Sequence, residues 1–277
     1  MSHAAPATNL SPESAGVAPG RGRLIGRRIV VVGAGTRPSD DPDAPFGNGR
    51  AIAVLAAREG AAVACVDLDR AAGERTAALV EAEGARAVVI EADVSDAGAC
   101  VRSVAESADG LGGIDGVVAN IGIGLGGGLA GTSPQDWDSV FDVNVRSHFL
   151  IARAAMPLIG NGGSIVFIGS IAGLKPGSRL PAYDASKAAL FGLCRHVAVE
   201  GARRGVRANV VVPGLVDTPL GRQATAGRPS RGTTRIPLGR QATAWDVAYA
   251  ALFLLGGESS YITAQSIVVD GGLTQIG

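Results

Sequence analysis

Runs of four to six residues rich in valine and isoleucine recur along this chain, and between them lie Ala-rich segments whose apolar residues return every third or fourth position. A continuous apolar run of that length suits a strand covered on both faces, whereas the three-and-four spacing draws one apolar stripe along a helix. The spacing predicts seven strands, at 29–32, 62–67, 87–92, 116–120, 164–169, 208–212 and 266–269. It predicts helices over 49–59, 70–83, 96–109, 134–159, 181–204 and 244–255. Strand, helix, strand repeated in this way implies parallel pairing, because each strand must be carried back to the same edge by a crossover, and such crossovers are right-handed. The expected fold class is α/β, with a seven-stranded, doubly wound parallel sheet and helices on both faces. No shift in composition divides residues 23–277, so one domain is expected there. Residues 1–22, rich in Ala, Pro, Ser and Gly with no apolar core behind a basic start, read as a disordered N-terminal tail rather than a leader.

Charge narrows the partners. Lys plus Arg and Asp plus Glu each number 25, so the formal net charge is zero and there is no basic surplus to meet a nucleic-acid backbone or an anionic membrane. Charged and turn-forming residues break every apolar run well before the roughly 20 residues a spanning helix requires. Neither nucleic acid nor membrane is an expected partner. Cys65, Cys100 and Cys194 are widely spaced and odd in number, which suggests neither a disulfide framework nor a zinc ligand set and fits a reducing cytoplasm. His3, His148 and His196 are equally scattered and read as a tail residue and two helix-face residues, so no metal is assigned. The heptapeptide LGRQATA occurs at 220–226 and again at 238–244. It is too short for a structural repeat and receives no role.

Glycines gather where strands end, the rim at which open α/β sheets bind ligands. After the first strand come Gly33 and Gly35, and after an interruption Gly47, Asn48 and Gly49 open a helix. Glycines at such a turn let backbone approach a pyrophosphate, and the helix N-terminus supplies unpaired N–H groups and a favourable dipole. Asp67 closes the second strand, where a carboxylate accepts the ribose hydroxyls of a dinucleotide and repels a 2′-phosphate. The pattern is that of a Rossmann-type domain taking NAD, with NADP disfavoured. Residues 37–46 carry three aspartates and three prolines and form an insertion expected to stretch the glycine loop, its charge further disfavouring NADP.

Ser170 stands at the end of the fifth strand, and Tyr183 and Lys187 open the next helix at i and i+4. That spacing projects both side chains from one helical face, where an ammonium should lower a phenol pKa that is about 10 when unperturbed. Such a tyrosine exchanges a proton while the serine hydroxyl holds the substrate oxygen. A Tyr/Lys pair alone would read as a solvated helix face; the strand-end serine makes it a site. Residues 215–237 form an expected substrate lid carrying Arg222, Arg228, Arg231 and Arg235. These could close over a polar or acidic substrate, the plainer reading being solvated loop arginines.

Together these motifs resemble the compact single-domain form of the short-chain dehydrogenase/reductase family, and the likeness runs from Arg28 to the C-terminus. The resemblance implies cofactor contacts at Gly33, Gly35, Gly47, Gly49 and Asp67, with Asp93 and Val94 against the adenine. It also implies contacts at Asn120 and Gly122 in the stretch after strand four, and at Pro213, Gly214 and Thr218 near the nicotinamide, with Tyr183 and Lys187 touching cofactor as well as substrate. It implies a catalytic tetrad of Asn144, Ser170, Tyr183 and Lys187, in which the asparagine supports a water chain to the lysine. Residues 269–272, VDGG, resemble the C-terminal signature, and the family implies a homotetramer. Val32, Ala119 and Ile121 depart from the usual motif residues, and the insertion splits the loop, but no catalytic group is lost. The expected function is interconversion of a secondary alcohol and a ketone with NAD, on a small-molecule substrate. The alternatives are an NADPH-dependent ketoreductase and a non-catalytic NAD-binding scaffold.

Overall fold

The computed structural model describes residues 10–39, 41 and 43–277. In chain order the elements are β1 Arg28–Val32, α1 Asn48–Arg58, β2 Ala62–Asp67, α2 Arg70–Ala82, β3 Ala87–Glu91, α3 Ala97–Leu111, β4 Ile114–Ala119, α4 Pro134–Phe141, α5 Ser147–Ala155 and β5 Ile159–Ile168. They continue as α6 Pro181–Gly201, β6 Arg207–Pro213, β7 Val216–Asp217, α7 Pro219–Ala226, α8 Pro229–Gly232, β8 Ala242–Thr243, α9 Ala244–Leu255 and β9 Ser266–Val269. Seven strands form one sheet in the order β3-β2-β1-β4-β5-β6-β9, every neighbouring pair parallel. The seven expected strands and the doubly wound sheet are therefore present. The two-residue strands β7 and β8 pair separately.

Alternation along the strands divides the core between two faces. On β1, Ile29 and Val31 face one layer with Leu55 of α1 and Val247 and Ala251 of α9. Val30 and Val32 face the other, with Val104 of α3, Ile151 of α5 and Val197 of α6. All of these residues are buried. Helix starts follow the short polar residues before them: Asp69 caps α2, Asp96 caps α3, and Ser133 and Thr243 form capping boxes with Asp136 and Asp246 on α4 and α9. No helix among the described residues is long and apolar enough to cross a membrane.

Two local expectations are corrected. The single helix expected over 134–159 is interrupted by a π-helical turn at Asp142–Arg146 between α4 and α5, and Ile159 already belongs to β5. The turn carries a fully buried asparagine whose side chain reaches a neighbouring loop, and a widened turn of this kind is a recurrent way of admitting such a group. Residues 10–22 are not a disordered tail; residues 1–9 lie outside the described residues. The Ser14 hydroxyl donates to Asp246 Oδ1 at 2.6 Å, and Thr243 Oγ1 donates to the Ser14 carbonyl at 2.7 Å. Arg58 donates to the Gly16 carbonyl at 2.7 Å. The backbone N–H groups of Arg21 and Arg23 both donate to Glu59 Oε2, while the Arg23 guanidinium pairs with Glu59 Oε1 at 2.5 Å. A segment poor in large apolar residues is thus ordered by polar partners distant in sequence.

Glu59 is fully buried. Burial pushes its carboxyl up, but Arg23 and the two backbone donors outweigh that and leave it below its ordinary 4.5. A carboxylate lowered on folding stabilises the protein above the unfolded value, and that contribution disappears as the pH falls through the folded one. Glu59→Ala should cost about 3 kcal/mol, because it strands the Arg23 charge and two N–H groups. A urea titration reads this as a lowered midpoint with an unchanged slope, and the difference from wild type should shrink in acid.

Candidate active site

The strand order reverses about β1 and β4, and a cleft of about 2250 Å³ opens across their carboxyl ends. At its floor the chain turns at Gly33, whose φ of +78° favours glycine and where a Cβ would lie 2.5 Å from the Asn120 carbonyl oxygen. A Cβ on Gly49, in the first turn of α1, would overlap the Gly33 carbonyl oxygen. The helix N-terminus is therefore docked directly on the strand end. Asn120 closes the arrangement from β4, its backbone N–H donating to the Val32 carbonyl and its side-chain amide to the Gly33 carbonyl, both at 2.9 Å. The side-chain oxygen of Asn48 is buried at this turn without a protein partner among the described residues. That orphaned acceptor, the exposed helix N-terminus and the close glycine backbone together fit a dinucleotide.

Asp67 faces the same turn. Its Oδ2 accepts from the Gly35 N–H at 2.7 Å and its Oδ1 from the Asp69 N–H at 3.1 Å, which leaves each oxygen a lone pair for a ribose hydroxyl. The insertion leaves the glycine turn as a surface excursion. The Gly47 N–H donates to Thr36 Oγ1 at 2.9 Å and pinches the excursion at its base, so α1 keeps its place on Gly33. Asp41 pairs with Arg222 of α7 at 2.8 Å, and Arg37 donates to Gln223 at 3.4 Å, tying the insertion to α7. The Asp41 charge is thus locally balanced; Asp40 lies outside the described residues.

The chemical groups converge further along the rim. Ser170 follows β5 and caps a short 3-10 turn, its oxygen accepting from the Ala172 N–H at 3.2 Å. That contact occupies a lone pair and leaves the hydroxyl proton for a partner in the cleft. Tyr183 and Lys187 project from α6 into the same cleft. Lys187 is buried, and its ammonium donates to the carbonyls of Ile121 at 3.2 Å and Ile168 at 3.1 Å. Burial pushes it down to about 8. The expected lowering of the Tyr183 phenol by Lys187 is not found. Burial raises Tyr183 above its ordinary 10, and hydrogen bonding with Ser170 together with the charges of Arg231 and Arg228 offsets only part of that rise.

Asn144 sits in the π-helical turn, behind the cleft lining. Its Oδ1 accepts from the Ile123 N–H at 2.8 Å, and its Nδ2 donates to the Ile123 carbonyl at 2.9 Å and to Ser186 Oγ at 3.0 Å. It clamps the loop after β4, two residues from the Ile121 carbonyl that holds Lys187. Gly122 completes this contact, since a Cβ there would lie 3.0 Å from Lys187 Nζ. Asp93, Val94, Pro213, Gly214 and Thr218 line the cleft with the groups above, whereas Gly49 lies beneath the glycine turn. The Thr218 oxygen is occupied as the cap of α7, accepting from the Gly221 N–H at 3.0 Å.

The burial of two groups escaped the sequence pattern. His148 lies on α5 as expected but on its fully buried face, and burial, with the neighbouring Lys187 charge, lowers it to about 3, so it is neutral at working pH. Arg228 and Arg231 are half-buried in the cleft wall. The sequence names both among the arginines of residues 215–237 but gives no sign that they are partly desolvated.

A family model described as enoyl-(acyl carrier protein) reductase matches residues 45–274. The 2-(S)-hydroxypropyl-CoM dehydrogenase 3 of Xanthobacter autotrophicus is 36% identical over 262 residues, 92% of this chain and 99% of that protein. The chain belongs to the short-chain dehydrogenase/reductase family. Among similar short-chain dehydrogenases is the human (3R)-3-hydroxyacyl-CoA dehydrogenase, 36% identical across 91% of this chain and 97% of its own length. The crystal structure of a short-chain dehydrogenase/reductase from Burkholderia xenovorans, described as putative, superposes with a TM-score of 0.84 at 37% identity, over 91% of this chain and 98% of that one. As a member of the family the protein is an NAD(P)-dependent oxidoreductase acting on CH–OH groups.

Gly49→Ala forces α1 away from Gly33, an overpacking that should weaken NADH binding about tenfold or more. Fluorescence titration of NADH against the variant, with far-ultraviolet circular dichroism confirming the fold, checks this.

Proposed function

We propose that this dehydrogenase interconverts a secondary alcohol and a ketone with NAD in preference to NADP, working through Asn144, Ser170, Tyr183 and Lys187. One observation carries the reading: a serine hydroxyl, a half-buried phenol and a buried ammonium line the same cleft as a carboxylate that ends β2. NAD, held by Gly33, Gly35, Gly47, Asn48, Asp67, Asp93 and Val94, with Asn120, Gly122, Pro213, Gly214 and Thr218 toward the reacting end, supplies the hydride acceptor when bound. The substrate hydroxyl sits between Ser170 and Tyr183. Tyr183 Oη takes its proton, and the free Ser170 proton steadies the developing carbonyl oxygen. Lys187 passes the proton on toward water. Asn144 holds the Ile121–Ile123 backbone on which the Lys187 position depends. The NAD preference rests on Asp67, which has no ion-pair partner among the described residues and would repel a 2′-phosphate.

A homotetramer in the cytoplasm belongs to the same reading. Exposed Trp137, Phe149 and Tyr261 offer surface for subunit contact, and three free, buried cysteines suit a reducing compartment.

Titrating NADH and NADPH by fluorescence, then offering a panel of alcohols, tests the proposal. Tighter NADH binding with turnover of at least one alcohol supports it, equal affinity overturns the cofactor preference, and binding without any turnover favours a non-catalytic scaffold. Tyr183→Phe should lower turnover roughly a thousandfold. Because Tyr183 accepts the proton as phenolate and its pKa is raised, oxidation should climb steadily with pH. The reductive direction needs the phenol and should stay level over the same range, which kcat/KM profiles from about pH 6 to about pH 10 will show in both directions.

A further inference from the structure

The side-chain carboxylates of the cleft are confined to one end of it. Three aspartates line it, Asp67, Asp69 and Asp93, all at or just beyond the ends of β2 and β3, on the far side of β1 from Tyr183. Around Ser170 and Tyr183 the lining carries Lys175, Arg179, Arg228 and Arg231 instead. Among the described residues none of these four has a carboxylate within ion-pair distance. Arg222, nearer the cofactor end, is by contrast paired with both Asp217 and Asp41.

Two of the four are built into the wall. Arg228 donates through Nη1 to the carbonyls of Gly177, at 3.1 Å, and Ser178, in the loop that runs directly into α6 and Tyr183. Arg231, on α8, donates through Nη1 to the Gly221 carbonyl at 2.9 Å and to the Thr225 hydroxyl. Its Nε and Nη2 have no protein partner among the described residues. Burial, and then the neighbouring Arg228 charge, disfavours the Arg231 cation, yet a guanidinium keeps its proton. Both charges also act on Tyr183, so both stand within electrostatic reach of the reacting oxygen. Adjacent, partly desolvated cations of like sign are unfavourable until an anion joins them, and the planar fork of an arginine matches an oxyanion bidentately.

We propose that the alcohol oxidised here carries a second, anionic group, a carboxylate, sulfonate or phosphate, and that Arg231 and Arg228 hold it while Tyr183 acts on the hydroxyl. The inference rests on the dehydrogenase reading and adds the substrate class. Arg231 and Arg228 are specificity-determining residues, delivered by the lid; Lys175 and Arg179 at the mouth raise the local concentration of anions.

The experiment compares β-hydroxybutyrate with its methyl ester, and the sulfonate of isopropanol with isopropanol itself, in wild type, Arg231→Gln and Arg231→Lys. The wild type should favour the anion of each pair, and Arg231→Gln should reduce that ratio of kcat/KM about 10- to 100-fold, chiefly through KM. Arg231→Lys should recover part of it, and added salt should erode it. Equal use of acid and ester by the wild type overturns the proposal. So does an unchanged ratio in Arg231→Gln, or a loss of NADH affinity in that variant matching its loss of activity, which would assign Arg231 to the cofactor. Calorimetric titration of propanesulfonate into the NADH-saturated protein separates this inference from its parent. If no alcohol is turned over, Arg231-dependent binding of propanesulfonate still supports the anion site while the dehydrogenase reading falls, and its absence overturns the anion site.

Discussion

Parallel pairing of β1 with both β2 and β4 is the constraint on which the rest of this protein depends. A parallel neighbour is reached only through a crossover, and the crossovers on the two sides of β1 run over opposite faces of the sheet. The chain therefore diverges above the ends of β1 and β4, and no helix fills the gap. Asn120 makes that divergence rigid, because its two donors join the end of β4 to the Val32 and Gly33 carbonyls of β1. The glycine turn, the Ser170, Tyr183 and Lys187 side chains and the segment 215–237 are all arranged around this seam. The fully buried valines and isoleucines beneath it hold the strand ends in place.

Burial acts with opposite sign on Tyr183 and Lys187. It disfavours a charged phenolate on Tyr183 and a charged ammonium on Lys187, raising one proton affinity and lowering the other. The site counters this with dipoles and charges: the Ile121 and Ile168 carbonyls hold the ammonium, while Ser170, Arg231 and Arg228 favour the phenolate. His148 beneath them stays neutral and adds no competing charge. In the proposed mechanism proton exchange is thus governed by a few fixed groups in a partly dry pocket, where each is worth more than it would be in water.

Polar contacts between distant segments set the edges of the cleft. Arg222 links the lid to the insertion, Arg228 links it to the loop before α6, and Glu59 and Asp246 bind the segment that precedes β1. In each case an arginine or carboxylate on one element meets an opposite charge, a backbone group or a hydroxyl on another. Such partners leave no periodic mark in a sequence, and for that reason the N-terminal segment reads as disordered and the lid arginines as solvated.

The sequence by itself determined the sheet, the order of its helices, and the positions of Ser170, Tyr183 and Lys187, because these follow from short-range periodicity: two along a strand, three and four along a helix. It showed the glycine cradle too, since only glycine fits where backbones touch. What only the tertiary structure decided is what a residue meets from elsewhere in the chain. The segment PLGRQATA makes the point: at 219–226 it is the helix α7, capped by Thr218 and held by Arg231, whereas at 237–244 the same residues form a turn, the strand β8 and the start of α9. The second copy is drawn out by pairing with β7 and by the Gly271 carbonyl that receives the Leu238 N–H. Local preference is a matter of tenths of a kcal/mol per residue, and a few long-range hydrogen bonds with buried contacts outweigh it.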